Sequence, residues 1–208
     1  MKPLLITDCD EVLLHMWRHF GEWLDETHAI DLEPHDGELA SRLRRRHDGE
    51  VLEQEAAWEL LDTGFLPTEL SRQTLAPHVL EALTAIGREA DIVILTNLPH
   101  DYRTQRITQL EGHGILHRVE CNQGGKGEPV ARIRAEFGNP VTVFVDDRSA
   151  HHQSVAEHAP AVHRLHMVIE PAIAPFIPPA PDAHARIDDW RMAQRWIADR
   201  FAAGAHAG

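Results

Sequence analysis

The stretch Leu4-Leu5-Ile6-Thr7-Asp8-Cys9-Asp10-Glu11-Val12 decides how the chain is read. An apolar run that ends abruptly in two carboxylates is the pattern of a buried parallel strand delivering Asp8 and Asp10 to its C-terminal edge. In open α/β sheets that edge is where ligands bind. Two carboxylates at this spacing cannot both be left unpaired in a core, because a buried lone charge is prohibitively costly. A divalent cation, a nearby Lys or Arg, or solvent at a plain strand end must compensate them. Cys9, between them, points to the opposite face by strand alternation and reads as a buried spacer.

Outward from this strand, Leu13, Met16, Trp17, Phe20, Trp23 and Leu24 recur at helical spacing and predict a helix over 14–27. A second helix is expected over 35–47, with Leu39 and Leu43 on one side and Arg42, Arg44, Arg45 and Arg46 elsewhere. A third is expected over 50–62, closed by Gly64 and Pro67. No strand is evident between them, so residues 15–75 read as a helical insertion. The α/β rhythm resumes with a helix over 78–87 and the run Ile92-Val93-Ile94-Leu95, which ends in Thr96-Asn97; Pro99 is placed to open a helix. A weaker strand is expected near 117–121. Gly124-Gly125-Lys126-Gly127 leads into a helix built on Val130, Ile133 and Phe137. The strand Val141-Thr142-Val143-Phe144-Val145 ends in Asp146-Asp147, and Ser149 is placed to cap the helix that follows. Residues 170–182 hold five of the 13 prolines and read as a connection within the core. A last helix begins near Asp188. The expected fold class is α/β: a Rossmann-like three-layer parallel sheet with helices on both faces. Residues 1–14 and 76–208 form that core, and 15–75 a small helical cap inserted after the first strand.

The totals agree with one such core plus an insertion in 208 residues. Hydrophobic content of 43% and charged content of 25% are those of a soluble globular protein. No apolar run is long enough for a membrane span and the N-terminus lacks a signal-peptide layout, so a cytoplasmic protein without a membrane partner is expected. Cys9 and Cys121 alone support neither a disulfide framework nor a Cys-rich zinc site. A formal net charge of −13 argues against a nucleic-acid polymer as partner. Such a protein must build a local positive site for an anionic substrate, most simply with a metal ion. Lys occurs only at Lys2 and Lys126, every other cation being Arg. An isolated Lys in the interior of such a sequence suits a position that wants a compact point charge.

Three apolar strands therefore end in polar clusters, at Asp8 and Asp10, at Thr96 and Asn97, and at Asp146 and Asp147. Right-handed crossovers in a parallel sheet bring them to one edge. The group suits phosphoryl transfer to a carboxylate, which splits one difficult displacement into two. Repulsion between two anions must then be removed, by Mg²⁺ held on two or three oxygens together with one Lys. A second carboxylate can protonate the leaving oxygen and later deprotonate water.

This order of motifs resembles the haloacid dehalogenase superfamily in its phosphatase-like branch: an Asp-x-Asp-x-Val strand end, a strand ending in Thr, a Lys, and a strand ending in Asp-Asp. The likeness runs from Leu4 to Asp147. It implies Asp8 as nucleophile and Asp10 as general acid and base, with the Asp10 backbone carbonyl also on the metal. Thr96 and Asn97 would bind substrate, Thr96 holding the transferring phosphoryl group, and Lys126 would balance charge between Asp8 and the phosphate. Asp146 would ligate Mg²⁺, with Asp147 close behind. The implied activity is a Mg²⁺-dependent phosphatase acting on a small phosphorylated metabolite, with residues 15–75 as the cap.

Other readings stand beside this one. A carbon-halide hydrolase would have no use for Asp10, which has no leaving oxygen to protonate there. Response-regulator receiver domains carry their phosphorylated Asp on a later strand, and sugar-nucleotide transferases need more chain before their DxD. A protein of the same fold that binds a phosphorylated ligand or a partner and turns over little is the rival from another class. Arg42 to Arg46 read either as a solvated helix face or as a grip on a substrate's anionic group. The 16 histidines, His151, His152, His158, His163 and His166 among them, match no zinc spacing and read as compositional bias. Oligomeric state is not legible.

Overall fold

The computed structural model describes residues 1–35 and 38–207. Strand β1 (Leu4–Thr7) is buried along its length. Beyond Asp10 the chain turns sharply, with Glu11 in the left-handed region at φ 57°. The Cys9 carbonyl accepts the N–H groups of Leu13 at 2.8 Å and Leu14 at 3.0 Å.

The chain then enters a second unit, made of residues 15–74 and 170–178. Helix α1 (Met16–His28) buries Phe20, Trp23 and Leu24. The rings of Phe20, Trp23 and Phe65 meet at 5.2–6.1 Å, which gives this unit an aromatic core. Strand β2 (Ile30–Leu32) pairs antiparallel with β3 (Leu43–Arg45). The helix expected over 35–47 is therefore absent: a 3₁₀ turn over Ala40–Arg42 and then β3 occupy its described part. Asp36 and Gly37 of that expected helix lie outside the described residues.

Cross-strand charge explains the difference. Arg44 Nε donates to Glu33 at 2.8 Å, Arg46 pairs with Asp31 and Asp25, and Leu43 is buried opposite Leu32. Arg42 stacks on Trp17 at 4.4 Å, and Arg45 reaches Asp48 at 3.6 Å. The arginine run is thus not a helix face, and each of its four arginines has a partner within this unit.

Helix α2 (Gln54–Glu59) passes into a π-helical stretch, Leu60–Phe65, and on into α3 (Leu66–Glu69). Gly64 and Pro67 do not end the helix as expected. Gly64 instead lets Trp23 approach, where a Cβ would lie 2.7 Å from the indole. Pro67 is the second residue of α3, immediately after the π-helical stretch. Residues 170–178, expected in the core, belong to this unit.

The first unit resumes with α4 (Val79–Gly87), β4 (Asp91–Thr96), α5 (Arg103–Gly112), β5 (Arg118–Cys121), α6 (Gly127–Glu136) and β6 (Thr142–Asp146). It closes with α7 (Ser149–His158), β7 (His163–His166), β8 (Ala185–Arg186) and α8 (Trp190–Ala203). The six strands form one parallel sheet in the order β5-β4-β1-β6-β7-β8. Strand alternation divides the core into two layers. Leu5, Ile92, Ile94, Val143, Val145 and Leu165 pack with α4, α5 and α8, while Leu4, Ile6, Val93, Leu95 and Phe144 pack with α6 and α7. Each fully buried side chain of this size contributes about 1.5–3 kcal/mol. Trp190 of α8 donates its indole N–H to the Val12 carbonyl at 2.8 Å, fastening the last helix beside the turn after Asp10.

Strands β7 and β8 have no apolar run to announce them. His163-Arg164-Leu165-His166 is polar in sequence yet wholly buried, and Arg164 is kept there by donating to the carbonyls of Asp182 at 2.6 Å and Val162 at 3.0 Å. No helix among the described residues is long and apolar enough to cross a membrane.

Candidate active site

Register brings the polar strand ends together. Thr7 lies opposite Ile94 on one side and Val145 on the other, so the chains leaving β1, β4 and β6 emerge at one edge of the sheet. Asp8 leaves β1 with its N–H on the Val145 carbonyl at 2.8 Å and is almost fully buried.

Lys126 arrives from the glycine-rich turn before α6. Its Nζ lies 2.8 Å from Asp8 Oδ1 and 2.7 Å from Asp146 Oδ2, with the lysine fully buried. The glycines make this reach possible. Gly124 takes φ +86°, and a Cβ on Gly125 would lie 2.7 Å from the Ser154 hydroxyl. At Gly127 a Cβ would collide with the Ser154 carbonyl. The Ser154 hydroxyl instead accepts the Gly127 N–H at 2.9 Å.

Asn97, expected to bind substrate, has its side chain engaged by this same turn. Its Nδ2 donates to the Gly124 carbonyl at 2.8 Å and lies 3.3 Å from His151 Nε2, and its Oδ1 accepts from Asn122 at 2.9 Å. Thr96 is fully buried, with Oγ1 3.4 Å from Asp10 Oδ2.

Asp146 ends β6, and its Oδ1 accepts the Arg148 N–H at 2.9 Å. Ser149, expected to cap the helix, is instead the first residue of α7 and makes no cap. Two histidines brace the Asp-Asp turn from behind. His152 Nε2 donates to the Asp146 carbonyl at 3.0 Å and His166 Nε2 to the Asp147 carbonyl at 2.8 Å. His166 Nδ1 accepts the Ala180 N–H at 3.0 Å, so its proton sits on Nε2. Burial pushes both imidazoles down from their ordinary range and keeps them neutral.

The electrostatics are those of a site with too much negative charge. Asp8, Asp146 and Asp147 each offer a carboxylate oxygen within 4.8 Å of the others, and they face one ammonium. Burial pushes the Asp8 carboxyl up to about 7 against the pull of Lys126, with Asp146 and Asp10 adding to the rise. Burial, followed by Asp146, Asp8 and Glu11, holds the Asp147 carboxyl well above the usual range. Lys126 stays charged: burial disfavours its ammonium, but Asp146 and Asp8 more than offset that. Hard, closely spaced carboxylate oxygens short of positive charge fit a small divalent cation, and among the described residues the cluster contains no thiolate or imidazole.

Asp10 stands slightly apart. Both its oxygens accept from Arg106 Nη2 at 2.9 Å, and Arg106 Nη1 donates to Cys9 Sγ at 3.3 Å. Burial holds the Cys9 thiol far above its ordinary range, in keeping with a spacer. Sequence reasoning did not reach Arg106, although a signal exists. Arg106 falls one residue before Ile107 and four before Leu110, so it is an arginine on the core-facing stripe of α5.

No family model matches the chain, and no curated protein does. Solved structures do resemble it. A haloacid dehalogenase-like hydrolase from Streptococcus pneumoniae superimposes with TM-score 0.63 at 10% identity, covering 93% of this chain and 97% of its own. A predicted phosphoglycolate phosphatase from Haemophilus somnus gives 0.63 at 12% identity, with 93% and 97% covered. A haloacid dehalogenase-like family hydrolase from Xanthomonas campestris gives 0.60 at 17% identity, with 98% and 97% covered. Likeness this extensive at such low identity is a likeness of fold, and the chain has the fold of the haloacid dehalogenase-like hydrolases.

Proposed function

We propose that the chain is a phosphatase of the haloacid dehalogenase superfamily, dependent on Mg²⁺, that hydrolyses a small phosphate monoester through an aspartyl-phosphate at Asp8. The observation that carries this reading is Lys126, fully buried between Asp8 and Asp146 beside Asp147. A buried ammonium with three carboxylates is a poor structural device, since apolar residues of like volume usually stabilise as well. It is a suitable one for drawing an anionic phosphate onto an anionic nucleophile.

Asp8, Asp146, the Asp10 backbone carbonyl and, directly or through water, Asp147 would hold the Mg²⁺. When bound, the ion supplies positive charge that offsets repulsion between Asp8 and the phosphate. The Asp8 carboxylate is oriented by two bonds on Oδ1, from Lys126 and from the Cys9 N–H at 2.7 Å. It attacks phosphorus; the ester P–O bond breaks, and the leaving oxygen takes the proton of Asp10. Water then attacks the phosphorus of the acyl phosphate while Asp10 takes its proton, which returns Asp8 and releases inorganic phosphate. Thr96 holds the equatorial oxygens, Lys126 offsets their charge, and Asn97 keeps the Lys126 turn in place. The proposed setting is the cytoplasm, with neither a membrane nor a nucleic-acid polymer as partner.

The test is phosphate release from a panel of small esters, with Mg²⁺ and with chelator, beside an Asp8→Asn control. Release that requires both Mg²⁺ and Asp8 is expected. A folded protein that binds Mg²⁺ and a phosphorylated ligand but releases nothing from any ester would instead be a binding protein of this fold.

A further inference from the structure

Arg106 has no part in the chemistry above, yet it is built against the residue that carries the proton. It is fully buried, and its Nη2 donates to both carboxylate oxygens of Asp10 at 2.9 Å while Nη1 donates to Cys9 Sγ at 3.3 Å. The guanidinium thereby spans the Cys9-Asp10 pair at the point where the chain leaves β1. Asp10 keeps 22% of its side chain exposed, so the carboxylate is held from the protein side while part of it remains open to solvent. Thr96 Oγ1 also reaches Asp10 Oδ2, at 3.4 Å, but Arg106 is the fully buried cation that engages both oxygens and so restricts the rotamer of the Asp10 carboxylate. Proton transfer needs its oxygen within about 2.6–3.2 Å of the reacting atom. A misplacement of about 1 Å can cost on the order of 10²-fold.

We propose that Arg106 is a positioning residue for Asp10. It holds the Asp10 carboxylate in the rotamer in which, once it carries the proton taken from the attacking water of the preceding turnover, Asp10 protonates the leaving oxygen, and so determines how well the protein cleaves aliphatic phosphate esters, whose alkoxide leaving group requires that proton. The proposal rests on the phosphatase reading.

The test compares kcat/KM for an aliphatic phosphate ester with that for p-nitrophenyl phosphate, whose leaving group departs without a proton. The full chain with Mg²⁺ is used, unaltered and as Arg106→Met, Arg106→Lys, Asp10→Asn and the Arg106→Met, Asp10→Asn double variant. This ratio constant reports formation of the acyl phosphate alone, so the later water attack does not enter. Arg106→Met should lower the aliphatic value by about 10²-fold and the aryl value by no more than about threefold, since general acid help is not needed there. Adding Arg106→Met to Asp10→Asn should cost nothing further on the aliphatic ester, because the arginine acts through the residue already removed.

Equal losses on both esters, or additive losses in the double variant, overturn the proposal and make Arg106 a general structural residue. Where Arg106→Met does not fold, the aliphatic-to-aryl ratio of Arg106→Lys decides. A fall of about threefold or more supports positioning, since Lys cannot reproduce the fork, and an unchanged ratio overturns it. Release from neither ester by the unaltered chain sinks the phosphatase reading and this proposal with it. Release by the unaltered chain with the wrong ratio sinks this proposal alone.

Discussion

Replacing Lys126 with Met keeps the length of the side chain and removes the ammonium that lies 2.8 Å from Asp8 and 2.7 Å from Asp146. Asp146 is fully buried and Asp8 nearly so. Breaking a buried pair from one side typically costs about 3–5 kcal/mol, because the charge left behind is uncompensated. For a chain of 208 residues, each kcal/mol moves Tm by roughly 2–4 °C, so a fall of roughly 6–20 °C is expected at pH 8 in chelator.

The pH dependence carries a sign that tests the cause. Without Lys126 the Asp8 carboxyl, already raised to about 7, loses the one influence that most lowers it. A carboxylate whose folded pKa exceeds its unfolded value binds more protons folded than unfolded between the two. Stability is therefore lost as pH rises through that window and regained as it falls. The deficit of Lys126→Met should accordingly shrink between pH 8 and pH 5. Calorimetry of both proteins at the two pH values, in chelator, reads it directly. A Tm within about 2 °C of the unaltered chain at pH 8, where a 3–5 kcal/mol loss is expected, or a deficit that grows on acidification, would refute the charge-balance argument.

Three further outcomes follow from the same geometry. Mg²⁺ should raise Tm by a stabilisation of about 2.7 kcal/mol at a hundredfold excess over its Kd. The rise should be larger at pH 8 than at pH 5.5, where a proton on Asp8 competes with the ion; no rise, or a larger one in acid, would contradict the donor set. Gly127→Ala should cost about 1–3 kcal/mol by forcing a Cβ into the Ser154 carbonyl, whereas Gly112→Ala, with open space around it, should change stability by less than about 1 kcal/mol; urea midpoints compare the two. Burial pushes His151 down from 6.5 to about 4. Its contribution is therefore whole above pH 6.5 and lost as pH falls toward 4, at most about 3 kcal/mol, and His151→Gln should flatten the urea midpoint against pH across that window.

The parts of the fold that could be read in advance are those where one physical demand dominates. Leu4–Thr7, Ile92–Leu95 and Val143–Val145 are buried on both faces, so they read as unbroken apolar runs, and their polar ends follow from the parallel register. Lys126 was legible because it is nearly alone of its kind and because three glycines surround it.

The misreadings arise where tertiary partners outweigh local pattern. Arg44 and Arg46 look like a charged helix face until Glu33 and Asp31 are seen across the strand pair. His163–His166 is a buried strand whose polar side chains are satisfied by loop carbonyls from far along the chain, such as that of Asp182. Arg106 is charged and buried because Asp10, 96 residues away, meets it. His152 and His166 looked like compositional noise, yet they hold the carbonyls of Asp146 and Asp147. In each case one side of the pair carries no local mark of the other.

The central claim is a covalent phosphoryl group on Asp8, and borohydride trapping addresses it without intermediary. An aspartyl-phosphate formed during turnover with Mg²⁺ and an ester is reduced by borohydride to homoserine, which mass spectrometry of the digested chain locates. Homoserine at position 8, absent in chelator and absent in Asp8→Asn, is the predicted result. Sustained phosphate release with no modification at Asp8, or with the modification at Asp10, Asp146 or Asp147 instead, would contradict the account.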